Sequence, residues 1–165
     1  FDIGWAYICI LSALGLAKVK KTQPKAVFVR DTPVDENTLE SIIKNRYDVM
    51  AHYAASLRAS LKSEIALLKQ VDLAAATRLK AVRKKVLRDA ANIDKSVVAQ
   101  LEQEISVSPT VQKLYDMRNE LAVLWQRSTM TKEQLLAHLH DWCERAEKSG
   151  IEALQLFALR LRTYR

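Results

Sequence analysis

The sequence predicts an all-α protein, and three observations carry that prediction. Leu, Ala, Lys, Arg and Glu dominate the 165 residues, while three glycines and three prolines are too few for the tight turns of a sheet protein. From residue 36 onward, apolar side chains recur at spacings of three and four. Helix caps stand between the periodic stretches: Asp35, Asp94, Ser108 followed by Pro109, Thr131 and Gly150. The predicted arrangement is an apolar N-terminal helix, a linker, and an antiparallel helical bundle that includes one long helix.

The N-terminal helix differs in kind from the rest. Residues 3–17 carry no charge and run directly into Lys18, Lys20, Lys21 and Lys25. The run falls short of the roughly 20 residues that span a bilayer, so it suits a membrane surface or a large hydrophobic partner. Trp5, Tyr7, Ile8, Ile10 and Leu11 are its candidate lipid-facing side chains, and the four lysines behind them are candidates for anionic headgroups. A signal peptide is disfavoured, since Asp2 stands where positive charge should be and the lysines follow the apolar run. The chain opens on Phe1 rather than methionine, which predicts a piece of a longer protein or a processed product.

Residues 22–35 read as a linker, with Pro24, Pro33, a short β-branched run at Val27 and Val29, and the acids Asp31 and Asp35. Thr32 or Asp35 can cap the helix after it. Residues 36–70 then predict a single helix of roughly 50 Å, with Ile43, Tyr47, Met50, Ala54, Leu57, Leu61 and Leu68 on a heptad seam that Glu64 interrupts. Its expected partners are the other helices of the chain. A homodimeric coiled coil, and hence a partner-binding module, is the lesser alternative.

Residues 73–88 are the most basic stretch. Ala75, Leu79, Val82 and Val86 form a narrow apolar stripe, and Arg78, Lys80, Lys84, Lys85 and Arg88 spread over the opposite side with no intervening acid. Such a helix either lies along phosphates or anionic headgroups or is simply a solvated face. No aromatic residue lies between Tyr53 and Tyr115, so this helix offers no base-stacking surface of its own. A net charge of +7 and a pI near 9.5 favour an anionic partner without choosing between lipid and nucleic acid.

The remaining helices are well punctuated. Asp94 caps one through about Ile105, with Val98, Leu101 and Ile105 inward. Ser108 and Pro109 open another to about Arg127, with Val111, Leu114, Leu121 and Trp125 inward. Thr131 and Gln134 form a capping box for a helix that turns Leu135, Leu139, Trp142 and Ala146 to the core. Gly150 stops it, and a last helix over residues 151–164 offers Leu154, Phe157, Ala158 and Leu161.

Two stretches resemble known families. The segment FDIGWAYICILSALGLAKVKK, through Gly15, Leu16, Ala17, Lys18, Val19, Lys20 and Lys21, resembles the region after the third histidine box of bacterial delta-9 type fatty acid desaturases. That resemblance implies that residues 1–21 end a membrane di-iron enzyme of the bacterial inner membrane, which inserts a cis double bond into a saturated acyl chain using oxygen and an electron donor. Residues 36–165 would be an accessory helical tail in the cytoplasm. The di-iron centre is implied for the longer parent alone, because this chain holds only His52, His138 and His140 and no histidine box. Residues 110–165 are similar to a helical segment of DDE-type insertion-sequence transposases through Trp142, Cys143, Ser149, Gly150, Ile151, Phe157, Ala158, Leu161 and Arg162. In that family the segment supplies fold and nucleic-acid contacts rather than the catalytic carboxylates, which implies a nucleic-acid-binding helical domain centred on residues 78–88.

The residues themselves offer little chemistry. His140, Cys143 and Glu144 would share a helix face, yet no second ligand pair accompanies them, so a closed zinc site is not expected. Cys143 reads as core, and with Cys9 it does not make a disulfide framework. Gly4, Gly15 and Gly150 stand alone, so no phosphate-binding loop is present, and no catalytic residue or metal ligand is assigned. The desaturase reading ranks first, and the transposase-derived DNA-binding domain is the alternative.

Overall fold

The computed structural model describes residues 33–88, 92–126 and 129–165, and these form seven α-helices with no strand among them. The predicted apolar helix and most of the linker, including Trp5, Tyr7, Ile8, Ile10, Leu11, Lys18, Lys20, Lys21 and Lys25, lie outside the described residues. No helix among the described residues is long and apolar enough to cross a membrane.

The first helix, α1 (Glu36–Lys44), starts where Asp35 accepts a 2.7 Å hydrogen bond from the Thr38 amide. Burial of Thr38, Leu39 and Ile42 fixes its inner face. The predicted single helix over residues 36–70 is then corrected by a break. At Asn45 the backbone sits at φ −107°, ψ 39°, and the Asn45 side-chain amide donates 2.8 Å back to the Ser41 carbonyl. An asparagine side chain that bonds to nearby backbone competes with helical continuation, and here it ends α1.

The next helix, α2 (Arg46–Val71), is the longest element. Its buried residues are Val49, Tyr53, Leu57, Leu61 and Ile65, each four from the last. A strict four-residue step advances about 40° per turn, so the stripe winds about 160° around the helix. A heptad seam would keep to one side. The winding lets α2 meet several partners along its length. It also places Tyr47 and Ile43, assigned by pattern to the seam, outside the core at 90% and 36% exposure. Because this apolar stripe packs within the chain, it is not available to a coiled-coil dimer.

A single residue, Asp72, connects α2 to α3 (Leu73–Val86) and caps it through a 3.0 Å bond from the Ala75 amide. Next come α4 (Lys95–Ile105), capped by Asp94, and α5 (Pro109–Leu121), capped by Ser108. Ser108 Oγ also donates 2.9 Å to Glu64, which explains the polar residue in the middle of α2. The helix predicted to run to about Arg127 stops at Leu121 and tightens into a 3₁₀ turn, Ala122–Trp125. The capping box of Thr131 and Gln134 opens α6 (Lys132–Lys148) as expected. Gly150 at φ 72° then turns the chain into α7 (Glu152–Arg162).

Cross-links give the register. Ser108 meets Glu64, Tyr53 OH donates 2.5 Å to the Leu114 carbonyl, and Trp125 Nε1 donates 3.2 Å to the Ile43 carbonyl. As numbers rise along α5 they fall along α2, so the two helices run antiparallel. The same holds for α5 and α6, where Trp142 bonds the Met117 carbonyl and His138 the Glu120 carbonyl. At the centre, Tyr53, Trp142 and Phe157 meet edge to face with centroids 4.9 to 6.3 Å apart.

Candidate nucleic-acid interface

Helix α3 buries Ala75, Ala76, Leu79 and Val86 and half-buries Val82. The small side chains at 75 and 76 let it lie close against α2. Everything cationic is turned away. Arg78, Lys80, Lys84, Lys85 and Arg88 are exposed, as the stripe predicts, and Arg83 joins them. Arg83 borders the apolar stripe on a helical projection, so periodicity alone does not count it as part of the basic face. None of these six cations is in an ion pair among the described residues, and α3 has no acid in its sequence.

The far end of this helix is anchored by a residue that periodicity does not single out. Arg118 is 7% exposed and donates from Nη1 to the carbonyls of Val86, at 3.1 Å, and Arg88, at 2.6 Å. It thereby ties the open carbonyl end of α3 to α5. A signal was present in the sequence: Val111, Leu114, Arg118 and Leu121 share one stripe of α5, and an arginine in an apolar stripe calls for buried acceptors. On the other side, Arg78 and Lys85 rim a groove of about 250 Å³ between α3 and α4, with Val82, Val97, Gln100, Leu101 and Glu104 lining it. The basic face is therefore a fixed surface on a packed scaffold.

Other candidate residues have structural roles. Cys143 is fully buried, and burial pushes its thiol up to about 12, where it is neither nucleophile nor ligand at neutral pH. Glu144 pairs with Lys148 at 2.8 Å, and His138 bonds the Glu120 carbonyl. No group of three or more His, Cys, Asp or Glu among the described residues is placed to hold a metal.

The positions that carry the transposase resemblance prove to be core and turn residues. Trp142, Cys143, Phe157, Ala158 and Leu161 are buried, and Arg162 makes an enclosed ion pair with Glu147 at 2.6 Å. Ser149 Oγ donates to the Ala146 carbonyl and accepts from the Ile151 amide on either side of Gly150. Comparison with known families then gives a match to the DDE transposase family of ISL3 type over residues 37–165. The chain belongs to this transposase family.

A transposase for insertion sequence element IS1001 of Bordetella parapertussis is 29% identical over 125 residues, covering 74% of this chain. The match takes in 30% of that protein, so the chain spans less than a third of its length. No solved structure matches the chain. Membership of the transposase family overturns the desaturase reading, together with the lipid metabolism, oxidoreductase activity and inner-membrane location that depended on it. The GLAKVKK resemblance covered only about the first 25 residues, whereas the family match takes in all seven helices but the first residue of α1. The di-iron centre, the electron donor and the remainder of a desaturase domain lose the reading that implied them.

Proposed function

We propose that this chain is a helical segment of an insertion-sequence transposase that holds DNA through the sugar-phosphate backbone along the outer face of α3. The observation that carries the proposal is the set of exposed cations Arg78, Lys80, Arg83, Lys84 and Lys85 on a helix without acids, with Arg88 just beyond its end, none of them in an ion pair among the described residues. Lysine and arginine displace counterions condensed on DNA, which gives affinity without sequence preference. A helix surface lacking aromatics suits phosphate contact rather than base readout. Strand cleavage and joining are assigned to the wider protein, since none of the carboxylates among the described residues is gathered into a site. Movement of an insertion-sequence element is accordingly the process in which the segment takes part.

Salt dependence tests this directly. With about five phosphates contacted, affinity of the chain for a short duplex should fall on the order of 10²- to 10³-fold between 50 and 200 mM salt. Reversing Lys84 and Lys85 to glutamate should lower the slope of log affinity against log salt by about two. Binding that is absent, or indifferent to salt, rules the reading out.

A further inference from the structure

An unsatisfied carboxylate lies in the groove between α3 and α4. Glu104 lines that groove half-buried, its Oε2 is enclosed, and no hydrogen bond reaches this oxygen among the described residues. An acceptor shut off from water without a donor is costly, so the position calls for a donor that the described chain does not supply. Because the side chain borders the groove, a turn about its last bonds presents the carboxylate there.

The rest of the groove indicates what carries that donor. Val82 and Val97 are half-buried and Leu101 is buried, which makes the floor apolar. Gln100 is exposed one turn before Glu104 on the same helix, so an amide and a carboxylate stand together along one wall. Arg78 and Lys85 stand at the rim two turns apart on α3, roughly 10 Å at helical rise, and both are exposed. A flat ring with a donor on its edge and a phosphate on either side meets all three features: floor against ring, wall against edge, cations against phosphates. An ionised glutamate only accepts, so its partner on a base is an exocyclic amine. At about 250 Å³ the groove is scaled to one base and does not admit a duplex.

We propose that the groove between α3 and α4 takes one unpaired base with an exocyclic amine, cytosine or adenine, from a DNA strand, with Glu104 accepting from the amine and Arg78 and Lys85 on the flanking phosphates. The proposal rests on the DNA-binding reading of α3 and deepens it. Helix α3, without aromatics, supplies the phosphate contacts. Helix α4 supplies the two polar groups that meet the edge of the base, Gln100 and Glu104.

The test uses the whole 165-residue chain and oligothymidylates of roughly 20 nucleotides that carry a second base at spaced positions. Two matched pairs of strands differ only in the amine: cytosine against 2-pyrimidinone, and adenine against unsubstituted purine. The chain should bind the amine-bearing strand of at least one pair about tenfold more tightly. Glu104→Gln should remove that preference and leave duplex binding unchanged. The substitution keeps the shape of the side chain, and an unchanged melting temperature verifies that the fold is intact. Equal binding within both pairs by the unaltered chain overturns the proposal, as does a preference that survives Glu104→Gln. A dimer that Glu104→Gln dissociates in sedimentation also overturns it, because the groove then takes a donor from a second copy. The two readings fail separately. Duplex binding that is salt-dependent without any amine preference sinks the groove alone, and an amine preference without salt-dependent duplex binding sinks the α3 reading and leaves the groove standing.

Discussion

The two ends of α2 lie in different surroundings. Around Tyr53 the helix enters a core of large rings and closed polar bonds: Tyr53 to the Leu114 carbonyl, Trp142 to the Met117 carbonyl, and Arg162 to Glu147. Toward Val71 it forms an arm with α3, joined by small side chains at Ala75 and Ala76, with Leu67, Val71 and Leu73 exposed at or near the tip. The residues that make the family recognisable lie in the first region. The charges proposed to hold DNA lie on the second. The lesson is that the signature read from Trp142 to Arg162 records how the segment folds, and that binding has to be looked for on a surface that contributes little to the core.

The largest expected effect is therefore in the aromatic core. Trp142→Ala removes the fully buried ring that touches Tyr53 and Phe157 and leaves the Met117 carbonyl without its donor. A loss of about 3–5 kcal/mol should appear in urea unfolding. A loss below about 1 kcal/mol would mean that this cluster is not the centre of the fold. The buried thiol gives an independent readout. In a Cys9→Ser background, Cys143 should resist iodoacetamide until the protein unfolds, because its thiol is pushed up to about 12. Labelling of the native protein would place the opening of α6 and α7 well below global unfolding.

Comparable in size is the enclosed ion pair. In the pair of Arg162 with Glu147 the side chains are 1% and 12% exposed. Arg162→Met strands the carboxylate and should cost about 3–5 kcal/mol, while adding Glu147→Leu should recover most of it. A double variant as unstable as the single one would show that the cost is packing rather than unpaired charge.

Much of this fold could be read from the sequence. Asp35, Asp94, Ser108 and Thr131 all act as helix caps, because capping is a local bond between neighbours in the chain. The break at Asn45 was harder to see. It turns on whether one amide bonds to the Ser41 carbonyl or to water, and the apolar pattern on either side continues across it. The placement of Tyr47 was lost with it. The cations of α3 were legible as a run, whereas Arg118 was marked only by its place in an apolar stripe, since its acceptors lie 30 and 32 residues away. The N-terminal resemblance misled because a short apolar run ending in lysines carries few constraints. The pattern over residues 142–162 fixes ring positions, a turn and an ion pair together.

A smaller effect falls at the hinge of the core region. Gly150 has φ 72°, and a Cβ there would meet nothing within 4 Å. Gly150→Ala should therefore cost only the strain of a left-handed alanine, about 1 kcal/mol. A much larger loss would reveal packing at the α6–α7 turn, and no loss would show that the turn can adopt another geometry.

At about 0.2 M salt the smallest effect on stability should come from the arm, and it divides the two regions most sharply. Lys84 and Lys85 lie in the last turn of α3, where positive charge also complements the helix dipole. Reversing both to glutamate should cost less than about 2 kcal/mol at low salt, and that cost should fade as salt is raised. Affinity for duplex DNA should fall at least about tenfold over the same salt range. If the helix dipole were their whole role, stability would drop at low salt and DNA binding would not change. If DNA is their role, the order reverses: binding is lost while a melting curve taken at about 0.2 M salt stays within about 0.5 kcal/mol of the unaltered chain. That combination would locate function on the arm and the family signature in the core.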